Sequence, residues 1–406
     1  VGGDGLKPPA DVRLRGFAER VAVAAALQWI DARARRLAAE EVDIGAAAGR
    51  VLAAPLAAPA DVPPAECAAR DGFAVRAGDT LGGSDYDPAV LTLADAGDPL
   101  APGSAAPLVA GAALPPGADA VLPFEQGQAK GRRVEIFAPV AAGAGIVRRA
   151  QQARAGAVLL DQGHVLQPKD IGLLIALGIE RVRVVRRPRV ALVVAAPKAA
   201  VGPARDANEP MLQRLIARDG GMVAALATGV AGQAAMAAGM AAPEADLILV
   251  AGRSGTGGDD VAPAALAERG RLAIHGIALR PGGSTGIGEI RGVPVILLPG
   301  EPLACLCAYE MFAGRLLRLC GGRDPDLPHR RCEGELQGKI VSTIGFVEVW
   351  QVQLSGRIAK PLAAPEEGGL AAALRANGFV IVPAALEGWA PGARVRVYLY
   401  GKEAEA

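Results

Sequence analysis

The stretch Leu247-Ile-Leu-Val-Ala-Gly-Arg-Ser-Gly-Thr-Gly-Gly-Asp-Asp-Val261 runs from an apolar segment into glycines, hydroxyls and two acids. A strand ending in such a loop offers backbone N–H groups to a phosphate, and its carboxylates can hold a divalent cation. The same residues also suit a tight turn capped by aspartate. Two more apolar segments end in comparable chemistry. Leu279-Arg-Pro-Gly-Gly-Ser-Thr-Gly-Ile-Gly288 places a cation among small residues, and Val295-Ile-Leu-Leu-Pro-Gly-Glu-Pro302 ends in a Pro-Gly turn. Asp206 and Asn208 precede a helix beginning at Glu209; they are either its caps, contributing about 1 kcal/mol, or ligand groups. Asp71-Gly72, inside Ala68-Ala-Arg-Asp-Gly-Phe-Ala-Val75, is either a simple turn or a place of close approach between small residues. His164, His275 and His329 are too dispersed for a metal triad and read as surface or structural histidines, and Ser254 has no identifiable base.

Strands alternating with helices must position these loops. Between Arg189 and Cys320 the pattern predicts strands at 190–194, 247–250 and 295–298 and a helix at 209–219. Alternation of this kind argues for a parallel, doubly wound sheet with its ligands beyond the carboxyl ends of the strands. Phe17, Val21, Ala24 and Leu27 fall at helical spacing and predict a long amphipathic helix over 14–41, followed by a short helical piece at 44–52 and a return to helix over 156–179. From 53 to 147 short apolar stretches such as Val90–Leu93 and Val134–Ile136 alternate with Gly, Pro and Asp, the pattern of an inserted β-rich module. After Cys332, short strands at 347–354, 379–382 and 395–399 predict a compact terminal β module.

The 406 residues carry 43 Lys and Arg against 42 Asp and Glu, a net charge of +1, with both signs spread along the chain. That balance leaves no electrostatic footprint for nucleic acid or an anionic membrane. Cys67, Cys305, Cys307, Cys320 and Cys332 are odd in number, lack CxxC spacing and sit mostly in apolar runs, so reduced core thiols are expected. Val1 to Arg15 has no apolar signal core, and no segment runs long enough without charge or glycine to span a bilayer. The expected location is the cytoplasm.

Order and spacing give these pieces a specific resemblance. Gly49-Arg-Val-Leu52, Ala69-Arg-Asp-Gly-Phe-Ala-Val75, Gly111-Ala-Ala-Leu-Pro-Pro-Gly-Ala-Asp-Ala-Val121 with Glu125, Asp206-Ala-Asn208, the 252–260 loop, Arg280-Pro-Gly282 and Leu298-Pro-Gly-Glu-Pro302 resemble the molybdopterin molybdenumtransferases and the E domain of gephyrin. The likeness covers nearly the whole chain. It implies a multidomain α/β and β subunit: a helical spine (14–52 with 148–182), an inserted β-rich domain (53–147), a molybdopterin-binding α/β domain with a mostly parallel sheet (183–330) and a C-terminal β-barrel-like domain (331–402), paired as a homodimer. It further implies insertion of molybdate into adenylylated molybdopterin with release of AMP, assisted by Mg2+. Asp71, Asp206 and Asp260 are the implied catalytic carboxylates, with Asp206 and Asp260 on the metal. Asn208, Gly252, Ser254, Gly255, Thr256, Gly257, Arg280, Pro281, Pro299, Gly300 and Pro302 are the implied pterin contacts. An upstream adenylyltransferase and a client molybdoenzyme are candidate partners.

Departures from the family pattern cluster at the chemistry. Ala195-Ala-Pro-Lys198 stands where members usually carry Thr-Gly-Asp-Glu, Arg253 replaces a glycine, and Gly258 falls where the first loop aspartate is usual. The usual Lys-Pro-Gly-Lys-Pro is Arg280-Pro-Gly-Gly-Ser284, the Asn of Leu-Pro-Gly-Asn-Pro is Glu301, an Arg of the terminal module is Gln351, and Ala110 stands where Thr is frequent. Losing cations and gaining an acid weakens a site for the molybdate dianion. Two functions of different class follow: a divergent enzyme, or a non-catalytic paralogue that carries molybdopterin or the finished cofactor.

Overall fold

The computed structural model describes residues 9–95, 97–196, 206–242, 244–364 and 369–401. The chain divides into two compact units, one of Val1–Glu40, Gly49–Val51 and Val184–Ala406, the other of Glu41–Ala48 and Leu52–Arg183.

In the first unit, helix α1 (Val23–Arg33) precedes an alternating run: β1 (Arg189–Ala195), α2 (Asn208–Arg218), β2 (Met222–Val230), α3 (Gln233–Gly239), β3 (Leu247–Ala251), α4 (Ala262–Arg269), β4 (Arg271–His275), β5 (Leu279–Arg280), β6 (Gly286–Ile290) and β7 (Val293–Leu298). Six of these strands form one sheet in the order β2-β1-β3-β7-β6-β4. The pairs β1–β2, β1–β3 and β3–β7 are parallel, while β6 is antiparallel to both β7 and β4. Unbroken runs of Val, Leu and Ile make β1 and β3 suited to burial on both faces. Val190, Leu192 and Val194 join one core with Leu249 and Ile296, and Ala191, Val193, Ile248 and Val250 join the other.

The C-terminal strands β8 (Arg330–Leu336), β9 (Val347–Ser355), β10 (Ile358–Ala363), β11 (Gly378–Val382) and β12 (Arg394–Leu399) close into a ring, β9-β10-β8-β12-β11 and back to β9. Alternation along β12 turns Val395, Val397 and Leu399 inward and Arg394 and Arg396 outward. Strand β5 lies parallel to β9, pairing Leu279 with Val347 and Arg280 with Glu348. The second unit holds a six-stranded sheet built on Gly72–Val75, with Phe73, Leu91, Leu122, Val134 and Ile136 in its core. The multidomain α/β and β class expected from the sequence is the fold observed.

The helical expectations shrink. Helix α1 begins at Val23, because Val21 pairs with Ile277 like a strand: its N–H donates to Gly276 O at 3.0 Å and its carbonyl accepts from Ala278 N at 2.8 Å. Backbone groups committed across the fold cannot also close a helix. Phe17 therefore lies outside the helix, edge-on to His275 at 5.0 Å, and Ala39–Asp43 is a strand. The predicted helix at 44–52 is one turn, Ile44–Ala46, and 156–179 contains the strand Val158–Leu160 and the helix Pro168–Ala176. All five cysteines are free, and only Cys332 is not buried. Burial pushes the Cys305 and Cys307 thiols up, keeping them protonated and inert. Among the described residues no helix is long and apolar enough to cross a membrane.

After β7 the chain forms α5 (Pro302–Ala308), a π-helical turn (Tyr309–Ala313) and α6 (Gly314–Cys320). This segment packs over a buried charge network. Arg218 donates to Glu310 through Nη1 and Nη2, at 2.6 and 2.9 Å, and to Asp219 through Nη2 at 2.9 Å. Arg318 lies 3.1 Å from the other Asp219 oxygen, and the Tyr309 hydroxyl donates to Asp219 at 3.0 Å. A methyl group at Gly314 would sit 2.8 Å from both Arg318 Nη1 and Asp219 Oδ2. In Gly314→Ala, about 1 kcal/mol of helix propensity is gained; overpacking and disturbance of the buried pair cost about 3 kcal/mol, so urea unfolding should show a net loss near 2 kcal/mol. Burial pushes the Glu310 carboxyl up, but hydrogen bonds from His329 and Arg218, with their charges, outweigh it and lower it from 4.5 to about 2. A depressed carboxyl contributes stability that is present above its unfolded value and lost as pH falls through the folded one. Thermal melts between pH 5 and 2 should show this loss in the native protein and a shallower acid limb in Glu310→Gln.

Candidate functional site

The carboxyl ends of β1, β3 and β7 open on a cleft of about 580 Å3. It gathers Asp206, Asn208, Gly252, Ser254, Gly255, Asp260, Pro299, Gly300 and Pro302 from the expected set. Thr256, Gly257, Arg280 and Pro281 do not line it. Asp71 belongs to the other unit, where it is exposed and accepts the Ala110 N–H at 2.7 Å. Pro197 and Lys198 lie outside the described residues.

Each carboxylate at the cleft holds backbone. Asp206 Oδ1 accepts the N–H groups of Asn208 and Glu209 at 2.8 and 3.0 Å, so it caps α2. The Asn208 amide donates to Gly300 O at 2.9 Å and ties that helix start to the turn after β7. Asp260, only 3% exposed, accepts from Gly257 N at 2.7 Å, and a methyl group at Gly255 would meet its Oδ2 at 2.6 Å. Glycine is thus required where the loop folds over its own carboxylate. The glycines and the acid that stood out in the 247–261 stretch thus meet in space.

Three groups around the cleft carried less weight in the sequence than they do in space. Glu301 accepts from Leu303 N and Ala304 N at 3.1 and 2.6 Å and caps α5. Both helix starts beside the cleft therefore have their N–H groups met by the chain's own carboxylates, a favourable use of the helix dipole. Arg253, in the left-handed region at φ +59°, is ion-paired with Asp259 and donates to Ala196 O at 3.1 Å. Ser284 sits 3.4 Å, hydroxyl to hydroxyl, from the buried Ser254, which also donates to Leu298 O at 3.2 Å. Behind the loop, His275 Nε2 meets the Ser254 carbonyl at 2.9 Å, and burial pushes its imidazole down, which keeps it neutral and structural. The expectation of structural histidines extends to His164, 2.7 Å from Asp170, and His329, 3.2 Å from Glu310. No cluster of three metal-ligating side chains occurs among the described residues.

Comparison with known proteins assigns the family. Residues 21–178 match the model of the MoeA N-terminal region (domain I and II), and residues 176–318 match that of a "probable molybdopterin binding domain". Molybdopterin molybdenumtransferase 2 of Mycobacterium tuberculosis is 31% identical over 314 residues, 71% of this chain and 77% of that protein. The chain belongs to the molybdopterin molybdenumtransferase family. It is thereby a protein of molybdenum cofactor biosynthesis. The Staphylococcus aureus molybdopterin molybdenumtransferase is 24% identical over 408 residues, 95% of this chain and 96% of its own length. Among solved structures, a molybdopterin biosynthesis MoeA protein from Pyrococcus horikoshii superposes with a TM-score of 0.76 at 30% identity, covering 95% of this chain and all of that one.

Within this molybdenumtransferase-family chain the departures acquire geometry. Arg280 turns to the barrel: Nη1 donates to Thr343 Oγ1 at 2.8 Å and lies 3.5 Å from Glu348, and the guanidinium stacks 4.0 Å over Phe346. At Gly283 the Arg20 guanidinium occupies the space beside the backbone. Arg20 Nη1 donates to Gly283 O at 2.7 Å, and a Cβ there would come within 2.4 Å of it. Gln351 is buried and accepts the Tyr400 hydroxyl at 2.8 Å. Asp206→Ala should lower stability by about 1 kcal/mol through loss of the cap. Asp206→Asn, which keeps an accepting oxygen, should change the urea midpoint far less, so the pair separates capping from any role in ligand binding.

Proposed function

We propose that the cleft binds adenylylated molybdopterin and that the chain inserts molybdate into it with release of AMP. The observation that carries this reading is the convergence of Asp206, Asp260, the glycine-bearing loop after β3 and the Pro299-Gly300 turn after β7 on one cleft of the segment matched as a molybdopterin binding domain. The loop after β3 and the turn after β7 would hold the pterin and phosphates through backbone groups. Asp206 and Asp260 suit Mg2+ by donor type, since that ion takes one or two carboxylates and completes its shell with water and substrate phosphate. Each has one oxygen engaged by backbone N–H groups, which orients the carboxylate. Mg2+ bound there would neutralise the phosphate charge that develops as the adenylate leaves. Asp71 is proposed as a third catalytic carboxylate, and the subunits as a homodimer, which a light-scattering mass would test.

A second reading, a carrier that binds molybdopterin without inserting metal, is favoured by one specific observation. Asp206, Asp260 and Glu301 outnumber Arg253 around the cleft, and Arg280 is engaged with Thr343 and Glu348. An oxyanion gains little from such surroundings.

Purified protein incubated with adenylylated molybdopterin, Mg2+ and molybdate should retain pterin and release AMP only when molybdate is present. Asp206→Asn, folded as the native protein, should lower that release at least tenfold. Retained pterin without AMP release would establish the carrier; no retained pterin would end both readings.

A further inference from the structure

A second cavity, of about 290 Å3, lies in the same unit between the outer face of the barrel and the segment carrying the π-helical turn. Such turns insert a residue into the helix and often occur at functional sites. One wall is Glu310, Met311, Arg315 and Arg318; the barrel supplies Arg331, Arg396 and Tyr398. Period-two alternation along β12 puts Arg396 and Tyr398 on one face, and Tyr398 is held flat against Phe379 with ring centroids 5.2 Å apart.

Hydrogen-bond donors outnumber acceptors in this cavity. Glu310 is already bound by Arg218 and lies against His329. Asp326 pairs with Arg331, and Arg315 with Asp31. Arg318 is 3% exposed; its Nη2 donates to Pro325 O at 3.1 Å and its Nη1 lies 3.1 Å from Asp219 Oδ1, which compensates its charge, yet Nε has no hydrogen-bond acceptor. Buried donors left in this state favour an incoming acceptor. Arg396 makes no ion pair among the described residues, although Glu333 stands opposite it in the strand register. Leu27, Met311 and Leu327 supply an apolar side.

We propose that this cavity is a binding site for a small organic anion, a phosphate monoester or carboxylate with a compact apolar body. Its acid group meets Arg396, Tyr398 and Arg318, and its body packs on Leu27, Met311 and Leu327. The site is separate from the proposed pterin cleft, and none of its residues lines that cleft. The test is calorimetric titration of the full-length protein with phenyl phosphate, benzoate and the uncharged control phenol, repeated on Arg396→Glu and Tyr398→Phe. Arg396 is an exposed strand residue with Glu333 opposite it, so that variant should stay folded and melt only slightly below the native protein. Saturable binding of phenyl phosphate or benzoate, absent with phenol and weakened at least tenfold by Arg396→Glu, is the expected result; which anion binds more tightly tells phosphate from carboxylate. No saturable binding, or binding that Arg396→Glu leaves unchanged, overturns the proposal, the latter placing the anion elsewhere, including the pterin cleft.

Discussion

Parallel pairing of β1, β3 and β7 is the constraint on which the rest of the first unit depends. Parallel strands need crossover connections, and burial on both faces demands apolar runs such as Leu247–Ala251. Once Val190 is registered with Leu247 and Ile248 with Val295, the three strands must finish at one edge. The loops that follow them then have nowhere to go but the same cleft. Chemistry dispersed over about a hundred positions of sequence is gathered first by the sheet's backbone hydrogen bonds, and contacts such as Asn208 to Gly300 O then tie the loops together.

The site resolves a conflict between holding itself together and holding a ligand. Helix starts leave N–H groups unmet, and an anionic ligand is one way to satisfy them. Here Asp206 and Glu301 satisfy them instead. The cleft is consequently rich in carboxylate, surroundings that disfavour a bare oxyanion. The departures at 280–284 follow the same logic of space: Arg20 fills the volume beside Gly283, so positive charge near this turn comes from the N-terminal segment and from Arg280 held over Phe346.

Asp219, Glu310 and Arg318 carry charge into the interior, with the half-buried Arg218 paired to both acids, at a desolvation cost that mutual pairing offsets. Gly314 permits the approach, and the π-helical turn lies alongside it. That arrangement couples the last helical segment of the α/β sheet to the barrel, through His329 against Glu310 and the aromatic group of His329, Phe379 and Tyr400.

By itself the sequence determined the central strands, the α2 helix, the terminal β strands and the glycine-bearing loops, because apolar runs, periodicity and turn residues are local signals. It also carried the family likeness. Only the tertiary structure decided where the N-terminal helix begins, since Val21 exchanges backbone hydrogen bonds with a segment more than two hundred and fifty residues away. The same holds for Arg280, whose guanidinium is placed by Thr343, Phe346 and Glu348, and for Gly283, whose carbonyl is met by Arg20 from the N-terminal segment. Asp206 and Asn208 stood open in the sequence between cap and ligand group. Space shows the cap, because Asp206 lies within reach of two N–H groups, while a ligand role depends on the second carboxylate oxygen and on chemistry that no local pattern encodes.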